Sequence, residues 1–252
     1  MDLGDDPQRE PRAGETTVLF IGSSYLEFND VPQRFKELSR KAGHDVFVKG
    51  YTFLGQPLSF FAASSGAATI IRERDWDFVI LQGGAQNVAY PRLSAHPAYP
   101  ALRELHRKAT EDSPGTRVVY MMPWAYEDGM LWAEGHTETY EEMQLDIREN
   151  VLDWSDELGL AVAPVGMAFY QVLTTWNQGL HFLHDSDWNH ASQAGSYLAA
   201  ATFFSTIFVE SCSDVDYDWK VEKGLAKELR DVASSTVLGE LGLWNIDWGG
   251  SG

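Results

Sequence analysis

The stretch TTVLFIGSSYLEFNDVPQRFKELSRKA, residues 16–42, decides the fold. A run of β-branched and apolar residues (16–21) ends at Gly22-Ser23-Ser24. Beyond it, VPQRFKELSRKA sets Val31, Phe35, Leu38 and Ala42 on one face at helical spacing. Four more short runs of the first kind come later in the chain: DVFVKGY (45–51), WDFVILQ (76–82), TRVVYMM (116–122) and LAVAPV (160–165). Helical patterns lie between them, one of which aligns Met143, Ile147, Val151, Trp154 and Leu158. Mostly apolar strands do not suit one-sided exposure, and their alternation with helices points to parallel pairing. The sequence therefore predicts an α/β fold, a three-layer α/β/α sandwich around a doubly wound, mainly parallel five-stranded sheet. Residues 1–15 read as a disordered leader and 16–252 as a single domain without repeat or linker.

The chain is acidic, with 37 Asp and Glu against 19 Lys and Arg and a formal charge of −18. Such a field repels phosphate backbones and anionic headgroups over about a Debye length, so neither nucleic acid nor a membrane surface is expected as a partner. Solubility from a solvated acidic face accounts for it, with salt tolerance as a second reading. The start lacks a basic stretch followed by an apolar one, which predicts a cytoplasmic protein, or a secreted or periplasmic one if a signal has been removed. The single Cys212 excludes an intramolecular disulfide and any cysteine-based zinc cluster. Its place after a long apolar helical pattern suits a buried thiol rather than a nucleophile.

In an open parallel sheet the ligand crevice lies beyond the carboxyl ends of the strands. The segments leaving those ends are GSSYLEFND (22–30), LGQPL (54–58), GGAQN (83–87), the aromatic segment from Pro123 to Thr139 and, after one more helix, HDSDWNHASQAG (184–195). A serine at a strand-to-helix turn exposes its hydroxyl on this rim, and Gly22 permits the tight backbone. Ser24 then needs a base. His190 suits, because Asp187 three residues earlier reaches the other ring nitrogen and holds the tautomer. Donors for a developing oxyanion are the N–H groups of Ser24 and Gly55 and a side-chain amide from Gln86 or Asn87. Trp124, Tyr126 and Trp132 are candidate substrate-binding aromatics. His181, His184 and Asp185 crowd the same stretch and leave a divalent-metal reading open.

FIGSSYLEFND, Gly55, GGAQN and DWNH with HASQAG together resemble, in order, the four blocks of the SGNH (GDSL-like) hydrolase superfamily. The likeness runs from Thr16 through nearly the whole chain and is strongest to a bacterial branch whose first block reads like LFIGNSYT. The resemblance implies a flavodoxin-like sandwich, no cofactor, and a Ser24–His190–Asp187 triad. Its oxyanion hole is Ser24, Gly55 and Gln86, or Asn87 in its place. Ser23 stands where the superfamily has Asp or Asn, and Gln86 where it has Asn. The implied activity is serine-esterase hydrolysis of a short acyl group, such as acetyl, from a carbohydrate or small alcohol. Two other classes stay open: a catalytically silent carbohydrate-binding protein on the same fold, and a metal hydrolase using His181 and His184.

Overall fold

A computed structural model of the protein describes residues 9–130, 139–176 and 182–248. The five predicted strands are present as β1 (Thr16–Gly22), β2 (Val46–Thr52), β3 (Phe78–Gln82), β4 (Arg117–Met121) and β5 (Ala161–Ala163). They form one sheet in the order β2-β1-β3-β4-β5 with every pairing parallel. The inner strands are buried almost throughout, which is why they read as continuous apolar runs instead of alternating ones. The fifth run ends earlier than predicted, because Pro164 lacks an N–H for the ladder and instead opens the next helix.

The helices are α1 (Ser24–Glu27), α2 (Val31–Lys41), α3 (Leu58–Ala63), α4 (Ser65–Ile71), α5 (Ala85–Ala89), α6 (Ala98–Glu111), α7 (Tyr140–Leu158), α8 (Val165–Thr175), α9 (Gln193–Phe208) and α10 (Lys223–Leu238). One layer joins α2, α9, α10 and α8; on the opposite face α3 packs on α6, and α5 on α6 and α7. Every residue of α9 from Gly195 to Ile207 is buried, so this helix is apolar all round and forms the centre of its layer. Phe203 meets β1 through Phe20, ring centroids 5.3 Å apart at 88°. Both sheet edges are managed. β2 carries the Lys49–Glu73 ion pair (2.6 Å), and the C-terminal segment covers β5 through Val162 N–H to Trp244 O at 2.9 Å.

The segment expected as a disordered leader is held where it is described. Arg9 pairs with Glu15 at 2.6 Å and lies over the Phe47 ring, 5.1 Å from its centroid. Cys212 is fully buried, and burial pushes its thiol pKa up, as suits an inert side chain. Among the described residues no helix is long and apolar enough to cross a membrane. The chain reverses direction across the sheet between β1 and β3, and at such a switch point the loops diverge and leave a crevice.

Candidate active site

The turn after β1 is built around a missing side chain. A Cβ on Gly22 would fall 2.6 Å from Gln82 Oε1 and 2.9 Å from Leu26 Cδ1. Glycine leaves that space to Gln82, whose Oε1 accepts the Ser23 N–H at 2.7 Å and faces the Ser23 hydroxyl at 3.4 Å. Gln82 Nε2 in turn donates to Gly83 O at 2.8 Å. Ser23 is thereby tied into the end of β3 and buried. Ser24, the first residue of α1, is half-buried, and its hydroxyl has no hydrogen-bond partner among the described residues.

The histidine loop is a closed clasp ahead of α9. Residues His184 and Ala191 form an antiparallel bridge, Asp185 N–H donates to His190 O at 2.7 Å, and Ser192 N–H to Leu183 O at 2.9 Å. Gly195 permits this closure, since a Cβ there would lie 2.2 Å from Leu183 O. Inside the clasp, Asp187 Oδ1 accepts the N–H groups of Asn189 (3.1 Å) and His190 (2.9 Å), while Oδ2 meets His190 Nδ1 at 2.5 Å. Partial burial raises the carboxyl pKa, but these hydrogen bonds outweigh it and hold Asp187 below the usual aspartate value. With Nδ1–H directed at the carboxylate, Nε2 is left as the basic nitrogen.

Aromatic contacts bring the clasp to the serine turn. The His190 ring stacks on Phe28, centroids 3.9 Å apart and 5° between planes, and Phe28 lies immediately beyond α1. Tyr25, the residue after Ser24, donates its hydroxyl to Asn189 Oδ1 at 2.5 Å. Burial raises the Tyr25 pKa well above its ordinary value, which keeps this hydroxyl a donor. Behind it, Trp124 stacks on Tyr25 (4.2 Å) and on Phe169 (4.7 Å), and its indole N–H donates to Asn189 O at 2.8 Å. Trp124 is fully buried. It therefore offers no face to a ligand, and the expectation that it binds substrate is corrected: it is a wall that positions Tyr25 and Asn189.

Ser24, Tyr25, Gly55, Gln86, Asn87 and Asn189 share one cleft of about 270 Å³ at the β1/β3 switch point, with Tyr126 and His96 also on its walls. Gly55 has φ +69°, a left-handed conformation that favours glycine, and its loop is tied to the serine turn by Phe53 N–H to Gly22 O at 3.2 Å. Asn87 and Gln86 differ in kind. Asn87 is 9% exposed, and its Oδ1 accepts the Ser94 hydroxyl at 2.8 Å, which fixes the amide and leaves its NH₂ end to donate. Gln86 is exposed and has no such tether among the described residues. Tyr126 is half-buried on the cleft wall, its pKa pushed up to about 12 by burial.

Trp132 and His181 lie outside the described residues. His184 is buried, with Nε2 3.0 Å from Ala125 O and its ring against Tyr140 and Phe169. Residue-by-residue reading missed Tyr25, Phe28, Asn189, Gln82 and His96. Asn189 sat within the DWNH block as a signal without a role. Gln82 is the one polar residue of β3 (Phe78–Gln82), and its amide at the end of an apolar strand needed a partner.

No family model matches the sequence, and no curated protein is detectably similar to it. Solved structures are. A DUF4886 family protein from Bacteroides uniformis superposes with a TM-score of 0.75 at 18% identity, over 89% of this chain and 95% of that one. A protein from Slackia heliotrinireducens, provisionally termed an SGNH hydrolase, gives 0.62 at 21% identity over 76% and 98%. The acetylxylan esterase Axe2 from Geobacillus stearothermophilus gives 0.59 at 20% over 78% and 96%. At such identities the shared property is the fold, and the α/β fold common to these proteins is the one this chain adopts.

Proposed function

We propose that this chain, on the SGNH hydrolase fold, is a serine esterase in which Ser24 is the nucleophile, His190 the general base and acid, and Asp187 the group that orients the imidazole. The observation that carries the reading is the Asp187–His190 pair at 2.5 Å, held beside the Ser24 turn by the Phe28 stack. Ser24 Oγ attacks the ester carbonyl carbon as its proton passes to His190 Nε2. The carbonyl oxygen, now anionic, takes hydrogen bonds from the N–H groups of Ser24 and Gly55 and from the Asn87 amide. The bond to the alcohol oxygen then breaks and His190 returns the proton to that oxygen. Water repeats the cycle on the acyl-enzyme, His190 accepting its proton. The bond to Oγ then breaks, Ser24 regains a proton and the carboxylic acid departs. The Geobacillus protein of like fold is an acetylxylan esterase, which favours an esterified carbohydrate or small alcohol as the leaving half. A p-nitrophenyl ester panel tests the reading. Ser24→Ala and His190→Ala should lower kcat by on the order of 10⁴ with the fold intact, and dialysis against a chelator should leave the wild-type rate unchanged. Activity lost to chelator and restored by zinc would replace the serine by a metal-bound nucleophile.

A further inference from the structure

A second pocket adjoins the cleft. It measures about 440 Å³, shares Gln86, Asn87 and His96 with the cleft, and continues between Tyr90, Ala95 and Met130. Its volume falls within the range of about 300–1,000 Å³ typical of small-molecule sites, far more than the single methyl of an acetyl group fills. Its walls place it in the fold: α5 supplies Gln86 and Asn87, and Ala95 and His96 lead into α6. It therefore belongs to the α5–α6 layer, whereas His190 precedes α9 in the opposite layer and stacks on Phe28.

We infer that this pocket receives the acyl half of the ester and that the acyl group is an uncharged apolar chain of several carbons, not acetyl. The inference rests on the esterase reading above. The alcohol oxygen must collect its proton from His190, so the alcohol departs on the α9 side of Ser24. The oxyanion points to its donors, and the remaining substituent of the tetrahedral carbon is directed away from His190, toward α5 and α6. The surface it meets there is apolar and adaptable. Met130 is a buried flexible thioether, and Tyr90 brings an aromatic face. The mouth is apolar as well. Leu93, one of the pocket's lining residues, is 65% exposed. The charge of −18 disfavours anionic acyl donors.

Initial rates on p-nitrophenyl acetate, butyrate, hexanoate and octanoate test this. Each methylene buried should raise kcat/KM by up to roughly fourfold, so hexanoate should exceed acetate by on the order of 10²-fold. Ala95→Trp, which fills the pocket, should collapse the octanoate-to-acetate ratio. Leu93→Asp should lower the same ratio at a position already open to solvent, where folding is not at risk. Leu145→Trp, an exposed apolar site on α7, should leave the ratio as in the wild type. Turnover that is fastest on acetate and falls with each added pair of carbons would overturn the inference while leaving the esterase reading intact. So would pocket variants with an unchanged ratio. No turnover of any ester by the folded protein would overturn the esterase reading, and this inference with it.

Discussion

Asn87 and Gln86 compete for one role, and the structure separates them by more than distance along the chain. Asn87 is 9% exposed and tethered through Oδ1 to the Ser94 hydroxyl at 2.8 Å, whereas Gln86 is exposed. An oxyanion donor works by being in place before charge develops, so a fixed amide contributes and a solvated one must first be ordered. Truncating Asn87 to Ala should therefore lower kcat by about 10²–10³-fold with little change in KM, because the contact is made mainly in the transition state. Gln86→Ala should stay within about threefold, the scale of a lost exposed contact. The tether offers an intermediate test. A neutral hydrogen bond contributes about 0.5–1.5 kcal/mol, so Ser94→Ala should cost roughly 2- to 12-fold in kcat by freeing the amide. Steady-state kinetics on one ester, with circular dichroism to confirm folding, decides among these. A Gln86→Ala enzyme slowed a hundredfold beside an undiminished Asn87→Ala enzyme would remove Asn87 from the oxyanion hole.

Two further outcomes are expected from the site. Gly22→Ala should destabilise the fold by about 1–3 kcal/mol through overpacking, since the new methyl meets Gln82 and Leu26 within 2.9 Å; a melting temperature equal to the wild type would show that the turn relaxes freely. Asp187 has a folded-state pKa held below its ordinary 3.8, so its contribution to stability is present above that value and lost as pH falls through the folded pKa. Melts of Asp187→Asn should therefore lie below wild type at neutral pH and converge with it on acidification below 3.8, and its kcat should drop by up to about 10⁴-fold; a gap in melting temperature that widens toward acid would contradict the assigned shift.

The inner strands β1, β3 and β4 were legible because each is buried on both faces and so appears as an apolar run. The layer order followed from their alternation with helices. The clasp at Asp187 and His190 was legible because its chemistry is local, three residues apart. The illegible features depend on contacts between distant segments. The Tyr25–Asn189 hydrogen bond spans 164 residues, and no local pattern announces it. Trp124 was misread for a related reason. A tryptophan just past a strand end reads equally well as an exposed platform or a buried wall, and only the stacks on Tyr25 and Phe169 decide. The anchoring of Arg9 on Phe47 likewise hides in a charged, proline-containing stretch that looks unstructured.

The proposed chemistry turns on Ser24, and not its neighbour Ser23, being the nucleophile activated by His190. A fluorophosphonate probe followed by peptide mass mapping distinguishes the two serines, because the probe forms a stable bond only to an activated serine oxygen. A single adduct is expected on Ser24, retained in Ser23→Ala, absent in Ser24→Ala and strongly reduced in His190→Ala. An adduct on Ser23, or undiminished labelling of Ser24 in a folded His190→Ala variant, would contradict the assignment.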